Sequence, residues 1–303
     1  MIGTAEIVRN AFEAGVMIPA FNVPYLPMVE PVVRALVDTD SFGLVATARL
    51  EWYKFEAKGL KPVRDEFKKW EQPDYVRLHL DHVPVIDEDD VHVDFPPILQ
   101  EAVDLGYGSI MVDGSRLDLD GNIAAAARAT EIAHGAGVPC EAELGAVFGH
   151  EAGPPPPYEE LFKSGRGFTD VDDAVRFVKE SGCDWLSVAI GNIHGAVSTA
   201  MRDKAKVAAR LNIDHLETLR TATEIPLVLH GGSGVQRDYV LEAMKHGIAK
   251  INIGTEIRQA YDKAFQQTRA VKDAQDAVYE RTCYLLRDYF ELAGKRAQVL
   301  GGG

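Results

Sequence analysis

The chain has 303 residues, of which 46% are hydrophobic and 26% are charged, as in a globular protein with a large apolar core. Its formal net charge of −14 disfavours a nucleic-acid partner, because nucleic-acid backbones attract basic surfaces. Three scattered cysteines exclude a disulfide framework. Apolar runs long enough to span a bilayer are absent, and the N-terminus lacks the apolar core of a signal peptide. We therefore expect a cytoplasmic protein without a membrane partner.

Eight short, mostly continuous apolar runs are typical of parallel strands that are covered on both faces. In chain order they are 16–23, 43–50, 75–83, 109–115, 140–147, 185–191, 226–233 and 250–255. Between these runs lie segments whose apolar residues have helical spacing. The clearest are 28–38, 121–135, 171–182 and 237–247. This alternation predicts an α/β fold, a (βα)8 TIM barrel, as a single domain over 1–303 with a C-terminal helical extension at about 256–303.

A histidine lies near or just after the end of three of these runs, namely His82, His194 and His230. Active sites of TIM barrels lie at the carboxyl ends of the strands, so the three imidazoles can converge on one ion. Three histidines with an open fourth position suit a catalytic divalent metal, above all zinc. A lone histidine at a barrel rim is more often an ordinary hydrogen-bonded residue. Asp81, beside His82, is suited to moving a proton to or from a substrate hydroxyl, and its alternative role is a strand-end cap.

The seventh and eighth runs end in the glycine-marked segments 229–234 and 252–255, where barrels frequently bind phosphate. Backbone N–H groups there, with the hydroxyls of Ser233 and Thr255, would donate hydrogen bonds to the phosphate. Lys250 opens the eighth run, so we expect it at the opposite end of the barrel. That position argues against a lysine Schiff-base mechanism.

Six segments in order resemble the class II, metal-dependent fructose- and tagatose-bisphosphate aldolase family. They are AFNV, HLDH, VDGS, EAELG, AIGNIHG, and LHGGSG followed by NIGT. The resemblance implies reversible cleavage of a ketose (bis)phosphate to dihydroxyacetone phosphate and an aldehyde through a metal-stabilised enediolate. It also implies a small sugar-phosphate partner and a homo-oligomer, either a dimer or a tetramer.

The family's site residues carry over position by position. The resemblance implies that Zn²⁺ or another divalent metal is bound by His82, His194 and His230. Asp81 would transfer the proton at the oxygen of the cleaved carbinol, and Glu151 the proton at the nucleophilic carbon. Asp113 and Glu143 match a secondary cation position, which a monovalent cation would occupy. The substrate- and phosphate-binding positions are Asn22, Gly195, Gly231, Gly232, Ser233, Asn252 and Thr255.

The chain departs from the family around the aldehyde half of the substrate. The segment after the second run lacks the family's serine-containing stretch, and Val83 replaces a usual glycine before an acidic insertion at 84–97. The family's C-terminal arginine motif is not found. Within the insertion, the acidic run 86–94 most simply complements the dipole of a following helix, and a second metal site is the alternative.

Two other functions are open. One is a non-catalytic accessory or binding subunit on the same barrel, which retention of Asp81 and Glu151 disfavours. The other is a metal-dependent hydrolase, which the phosphate-type loops disfavour.

Overall fold

The computed structural model describes residues 2–145, 158–192, 209–232 and 234–302. Eight parallel strands close into one barrel in the order β1 to β8, and the predicted TIM barrel is thereby confirmed. The strands are β1 Ile18–Asn22, β2 Gly43–Ala48, β3 Val76–Pro84, β4 Ser109–Asp113, β5 Cys140–Leu144, β6 Trp185–Val188, β7 Leu227–Leu229 and β8 Ile248–Ile253. β1 pairs with β8 to close the barrel, with Ile18 opposite Lys250.

The helices follow the apolar spacing of the sequence, because each buries one face against the barrel. They are α1 Thr4–Ala14, α2 Val29–Asp38, α3 Arg49–Tyr53, α4 Leu60–Trp70, α5 Phe95–Asp104, α6 Leu119–Gly135, α7 Tyr158–Ser164, α8 Val171–Ser181, α9 Ile213–Thr223, α10 Arg237–Lys245, α11 Thr255–Thr268, α12 Val271–Tyr284 and α13 Arg296–Val299. After β8, α12 packs on both α11 and α2, so the C-terminal helices cover the outside of the first βα unit. Across the described residues, the helices are all too short or too polar to cross a bilayer.

The observed strands differ in their bounds from all eight predicted runs, and two of these differences affect the site. The second run ends as a strand at Ala48, and the helix α3 begins at Arg49 because the Glu51 carboxylate accepts a hydrogen bond from the Ala48 backbone N–H at 2.8 Å. The eighth strand begins at Ile248, so Lys250 lies inside the strand and does not open it.

A β-bulge in β3 explains how two adjacent residues both reach the barrel mouth. Neighbouring residues of a regular strand point to opposite faces. The pairing of β3 with β4 shifts between Leu80 and Val83, so one extra residue is inserted at Asp81 and His82. A bulge of this kind redirects a side chain. Asp81 is thereby buried, whereas His82 is partly buried.

Candidate active site

Polar side chains occupy the interior of the barrel below the strand ends. They lie at alternate positions of three strands, on the face that points inward: His79 and Asp81 of β3, Glu141 and Glu143 of β5, and Lys250 and Asn252 of β8, all buried. TIM-barrel interiors are usually filled by branched apolar side chains. A charged interior must therefore have another use.

Asp81 is held by hydrogen bonds to both of its carboxylate oxygens. The Asn22 amide donates to Oδ2 at 2.8 Å, and the Asn252 amide donates to Oδ1 at 2.7 Å. Burial would raise the pKa of this carboxyl, but the positive charges of His82 and Lys250 outweigh burial and lower the pKa. Asp81 is therefore an ionised and firmly oriented carboxylate, as a proton acceptor requires.

The rings of His82 and His230 meet edge to face, with their centroids 4.4 Å apart. One ligand atom from each of Asp81, His82 and His230 lies within 4.8 Å of the others. His82 Nδ1 is 3.2 Å from Asp113 Oδ2, and His230 Nε2 is 2.8 Å from Glu141 Oε1. A carboxylate on one ring nitrogen orients an imidazole so that its other nitrogen can bind a metal. This donor set therefore fits a divalent metal such as zinc.

The two histidines lie in a strongly negative environment. Burial disfavours the charged form of His82, but Asp81 and Asp113 outweigh burial and raise its pKa to about 10. The pKa of His230 is also raised, because its contacts with Glu141 and Glu143 outweigh burial and the charge of His82. An environment that stabilises two imidazolium ions would equally stabilise a divalent cation.

The carboxylates assigned to a secondary cation, Asp113 and Glu143, lie beside His82, and Glu143 also contacts His230. Ligand atoms of His82, Asp113 and Glu143 lie within 4.8 Å of one another. Ser115 fixes Asp113, because its backbone N–H and hydroxyl both donate to Asp113 Oδ1, at 3.0 and 2.6 Å. The predicted main and secondary cation positions are thus adjacent and share His82.

Gly231 and Gly232, in the segment predicted to bind phosphate, lie at positions that do not accommodate a larger residue. Gly231 has a φ of +66°, a conformation that favours glycine. A Cβ on Gly232 would lie 2.6 Å from Ile251 Cδ1, so a larger residue would clash. Thr255 is the first residue of α11, and helix N-termini attract phosphate. The predicted residues Glu151, His194, Gly195 and Ser233 lie outside the described residues.

Three buried residues of the site were missed by the sequence analysis. His79 and Glu141 lie two positions before Asp81 and Glu143, so strand alternation was the signal that could have found them. The third is Glu51, whose carboxyl contacts the Asn22 amide. Burial raises the pKa of Glu51 to about 8, although the Ala48 hydrogen bond lowers it, and the charge of Asp81 adds to the increase. No sequence pattern pointed to Glu51, which lies in the segment that departs from the family.

Lys250 does not lie at the far end of the barrel, and that prediction was wrong. Its Nζ is 2.8 Å from Glu141 Oε2 and donates to Asn252 Oδ1 at 2.6 Å. The side chain is fully buried. The ion pair with Glu141 and the hydrogen bond to Asn252 occupy the Lys250 side chain, and these contacts disfavour a Schiff-base role for it.

The acidic run 86–94 forms a turn that is held by hydrogen bonds within the run and to neighbouring segments. Asp87 accepts hydrogen bonds from the backbone N–H groups of Asp89 and Val91, and Arg49 donates to it at 3.1 Å. Arg116, from the loop after β4, donates to the Asp87 carbonyl and the Asp90 carboxylate. Within the described residues, no group of three potential metal ligands forms in this run. Three basic side chains, Arg49, Arg116 and Lys54, form ion pairs with carboxylates of this run.

Comparisons with known proteins agree with this geometry. The family described as "Fructose-bisphosphate aldolase class-II" matches residues 2–296. The chain is similar to a fructose-bisphosphate aldolase of Streptococcus pyogenes serotype M1, with 32% identity over 286 residues that cover 92% of this chain and 87% of that protein. It is also similar to the 6-phospho-5-dehydro-2-deoxy-D-gluconate aldolase of Bacillus subtilis (strain 168), with 34% identity over 210 residues that cover 69% of this chain and 62% of that protein.

Among solved structures, the fold is similar to that of the YdjI aldolase from Escherichia coli K12. The TM-score is 0.77 at 27% identity, and the match covers 98% of this chain and 100% of that one. The chain belongs to the class II fructose-bisphosphate aldolase family, and it is a metal-dependent enzyme, a carbon–carbon lyase.

Proposed function

We propose that the protein cleaves a ketose phosphate reversibly to dihydroxyacetone phosphate and an aldehyde. The observation that carries this proposal is the Asp81 carboxylate, which two amides orient within 4.8 Å of candidate metal-binding atoms of His82 and His230. Aldol cleavage needs a base at the carbinol oxygen and an electrophile at the ketone, and these side chains can supply the first and hold the second.

The metal site would consist of His82 and His230, with His194 as the third ligand. Zinc is the metal that best suits three imidazoles and an open position. When bound, the metal would act as a Lewis acid toward the ketone oxygen. Asp113 and Glu143 would hold the secondary, monovalent cation beside it.

The protons would be moved by two carboxylates. Asp81 would take the proton of the carbinol hydroxyl as the adjacent carbon–carbon bond breaks and the aldehyde forms. Glu151 would handle the proton at the carbon that becomes the nucleophile in the reverse direction. Asn22 and Asn252 keep Asp81 in one orientation, so that little reorganisation is needed during the transfer.

The phosphate of the ketose would lie at the ends of β7 and β8. Backbone N–H groups of Gly231 and Gly232, the start of α11 at Thr255, and Ser233 and Gly195 would bind its oxygens. Asn252 and Asn22 would face the ketone-bearing part of the substrate.

We expect this enzyme to differ from its relatives in the half of the substrate that is released as the aldehyde. The two relatives named above are called aldolases of different phosphorylated sugars. The rim of this barrel is built from the segment around Glu51 and the turn at 86–94, in place of the family's usual residues. We expect a ketose phosphate other than fructose 1,6-bisphosphate, and we expect a single barrel domain that forms a cytoplasmic homo-oligomer, as the family resemblance implies.

The test is a substrate panel assayed for release of dihydroxyacetone phosphate. It contains fructose and tagatose bisphosphates, ketose 1-monophosphates, and phosphorylated keto sugar acids. We expect one class to be cleaved, chelation to abolish the cleavage, and about one divalent metal per chain to restore it. Metal-loaded protein that cleaves no member of the panel would contradict the proposal.

A further inference from the structure

Lys250 is the only lysine or arginine among the described residues that is buried as a whole, with 0% of its surface exposed. A buried charge is costly unless it is paired and hydrogen-bonded. Lys250 has both kinds of partner: the Glu141 carboxylate at 2.8 Å and the Asn252 side-chain oxygen at 2.6 Å.

Each of these two partners also contacts a functional side chain through its second polar atom. Glu141 binds Lys250 through Oε2 and the ring of His230 through Oε1, at 2.8 Å. Asn252 accepts from Lys250 through Oδ1 and donates to Asp81 through Nδ2, at 2.7 Å. Glu141 therefore connects Lys250 to the candidate metal ligand His230. Asn252 connects Lys250 to the candidate base Asp81.

The ammonium also decides which way the Asn252 amide points. In the flipped amide, the NH2 group would face the ammonium and the carbonyl oxygen would face the Asp81 carboxylate. Both contacts would be repulsive, since each would pair two donors or two acceptors. A neutral side chain at position 250 would remove half of this preference.

His79 does not duplicate this function. Its Nε2 lies 3.7 Å from Glu141 and 3.9 Å from Asp81, while its Nδ1 is 2.8 Å from the Ser109 hydroxyl. Burial, together with the charge of Lys250, lowers the pKa of His79 to about 3, so this ring is neutral. Of the two side chains, Lys250 is the one that makes the close ion pair with Glu141, at 2.8 Å.

We propose that Lys250 is a positioning residue that couples the two halves of the site. Through Glu141 it fixes the ring of His230 and with it the affinity for metal. Through Asn252 it fixes the orientation of Asp81 and with it the turnover number. The inference rests on the proposed function for its second half only, since metal affinity is measurable without turnover.

The experiment is a double-mutant cycle with K250M, E141Q and K250M/E141Q, in which the double variant removes one charge of each sign. Zinc affinity is measured by chelator competition, and kcat is measured at saturating zinc. The control is K245M, which removes an exposed lysine of α10. We expect K250M to lower zinc affinity about 10- to 100-fold and kcat about 100-fold, while K245M changes neither.

The double-mutant cycle separates the effect that Lys250 exerts through Glu141 from the effect that it exerts through Asn252. In the E141Q background, removal of Lys250 should have no further effect on zinc affinity, because that path passes through Glu141, but it should still lower kcat through Asn252. A folded K250M protein that retains either zinc affinity or kcat within threefold would overturn the proposed coupling. Failure of the double variant to fold would also overturn it, because Lys250 would then serve the fold and not the site. If the parent protein cleaves no ketose phosphate, the proposed function fails while the zinc measurements still test the Glu141 path.

Discussion

The barrel interior and the rim above β2 to β4 both concentrate charge, but they hold it differently. In the interior, strands fix buried side chains: Lys250 is 2.8 Å from Glu141, and the Asn252 amide connects Lys250 to Asp81. At the rim, a turn holds the charges and long surface side chains balance them. Lys54, for example, is 36% exposed and pairs with Asp89 at 3.2 Å.

The difference separates what is shared with the family from what is particular to this chain. Asp81 and Glu141 belong to segments that carry the family resemblance, and Lys250 lies two positions before another of them. Small displacements in the interior would change the reaction. The rim includes residues of the two segments that depart from the family, at 48–73 and 84–97. We infer that the interior determines the chemistry, whereas the rim determines which aldehyde is accepted.

The strongest test of this division is His82→Ala in the interior against His92→Ala at the rim. His82→Ala should lose tightly bound metal and nearly all turnover, because the remaining ligands cannot hold the ion in a catalytic geometry. His92→Ala should keep both. Metal content by elemental analysis and kcat are the measurements, and equal losses in the two variants would show that the rim also binds the essential metal.

Asp81→Ala should lower kcat about 100- to 10,000-fold, since it removes the proton acceptor. Metal content should stay at the parent value. Asp89→Ala, which removes a rim carboxylate, serves as the matched control. Because Asp81 also lies within 4.8 Å of the two histidines, loss of metal from Asp81→Ala would instead identify Asp81 as a ligand.

Glu51→Gln should change how stability depends on pH. The pKa of Glu51 is raised from 4.5 to about 8 in the fold, so the folded protein binds a proton that the unfolded chain has lost. The free energy of unfolding of the parent should therefore fall relative to Glu51→Gln as pH rises from about 4.5 to about 8, by roughly 1.4 kcal/mol per pH unit. Urea unfolding of the metal-free proteins at pH 6, 7 and 8 measures this. Parallel pH profiles would mean that Glu51 is ionised throughout.

Lys54→Met should have the smallest effect. Exposed ion pairs contribute at most about 1 kcal/mol, so the melting temperature should change little and the metal affinity should not change. Thermal unfolding and chelator competition are the measurements. A loss of affinity in this variant would mean that rim charges reach the metal site, which would contradict the separation of the two regions.

Much of the interior could be predicted from the sequence, because apolar runs reveal strands and polar residues at their ends reveal the barrel mouth. The residues that escaped prediction did so for physical reasons. Lys250 was placed at the start of its strand because a charged residue normally ends an apolar run, and the partners that allow its burial are distant in sequence. Glu51 lies in the first turn of a short helix, where nothing local indicates that it is buried beside Asn22. The bulge at Asp81 and His82 depends on pairing with β4, which sequence alone does not reveal.

The charged barrel centre has a consequence for engineering. Replacing a buried ion-pair network with apolar residues of similar volume often stabilises a protein. Computational selection for thermostability alone would therefore favour apolar residues at His79, Glu141 and Lys250. The resulting barrels would resist heat better but would lose activity. Stabilising substitutions in this scaffold therefore belong in its outer helices.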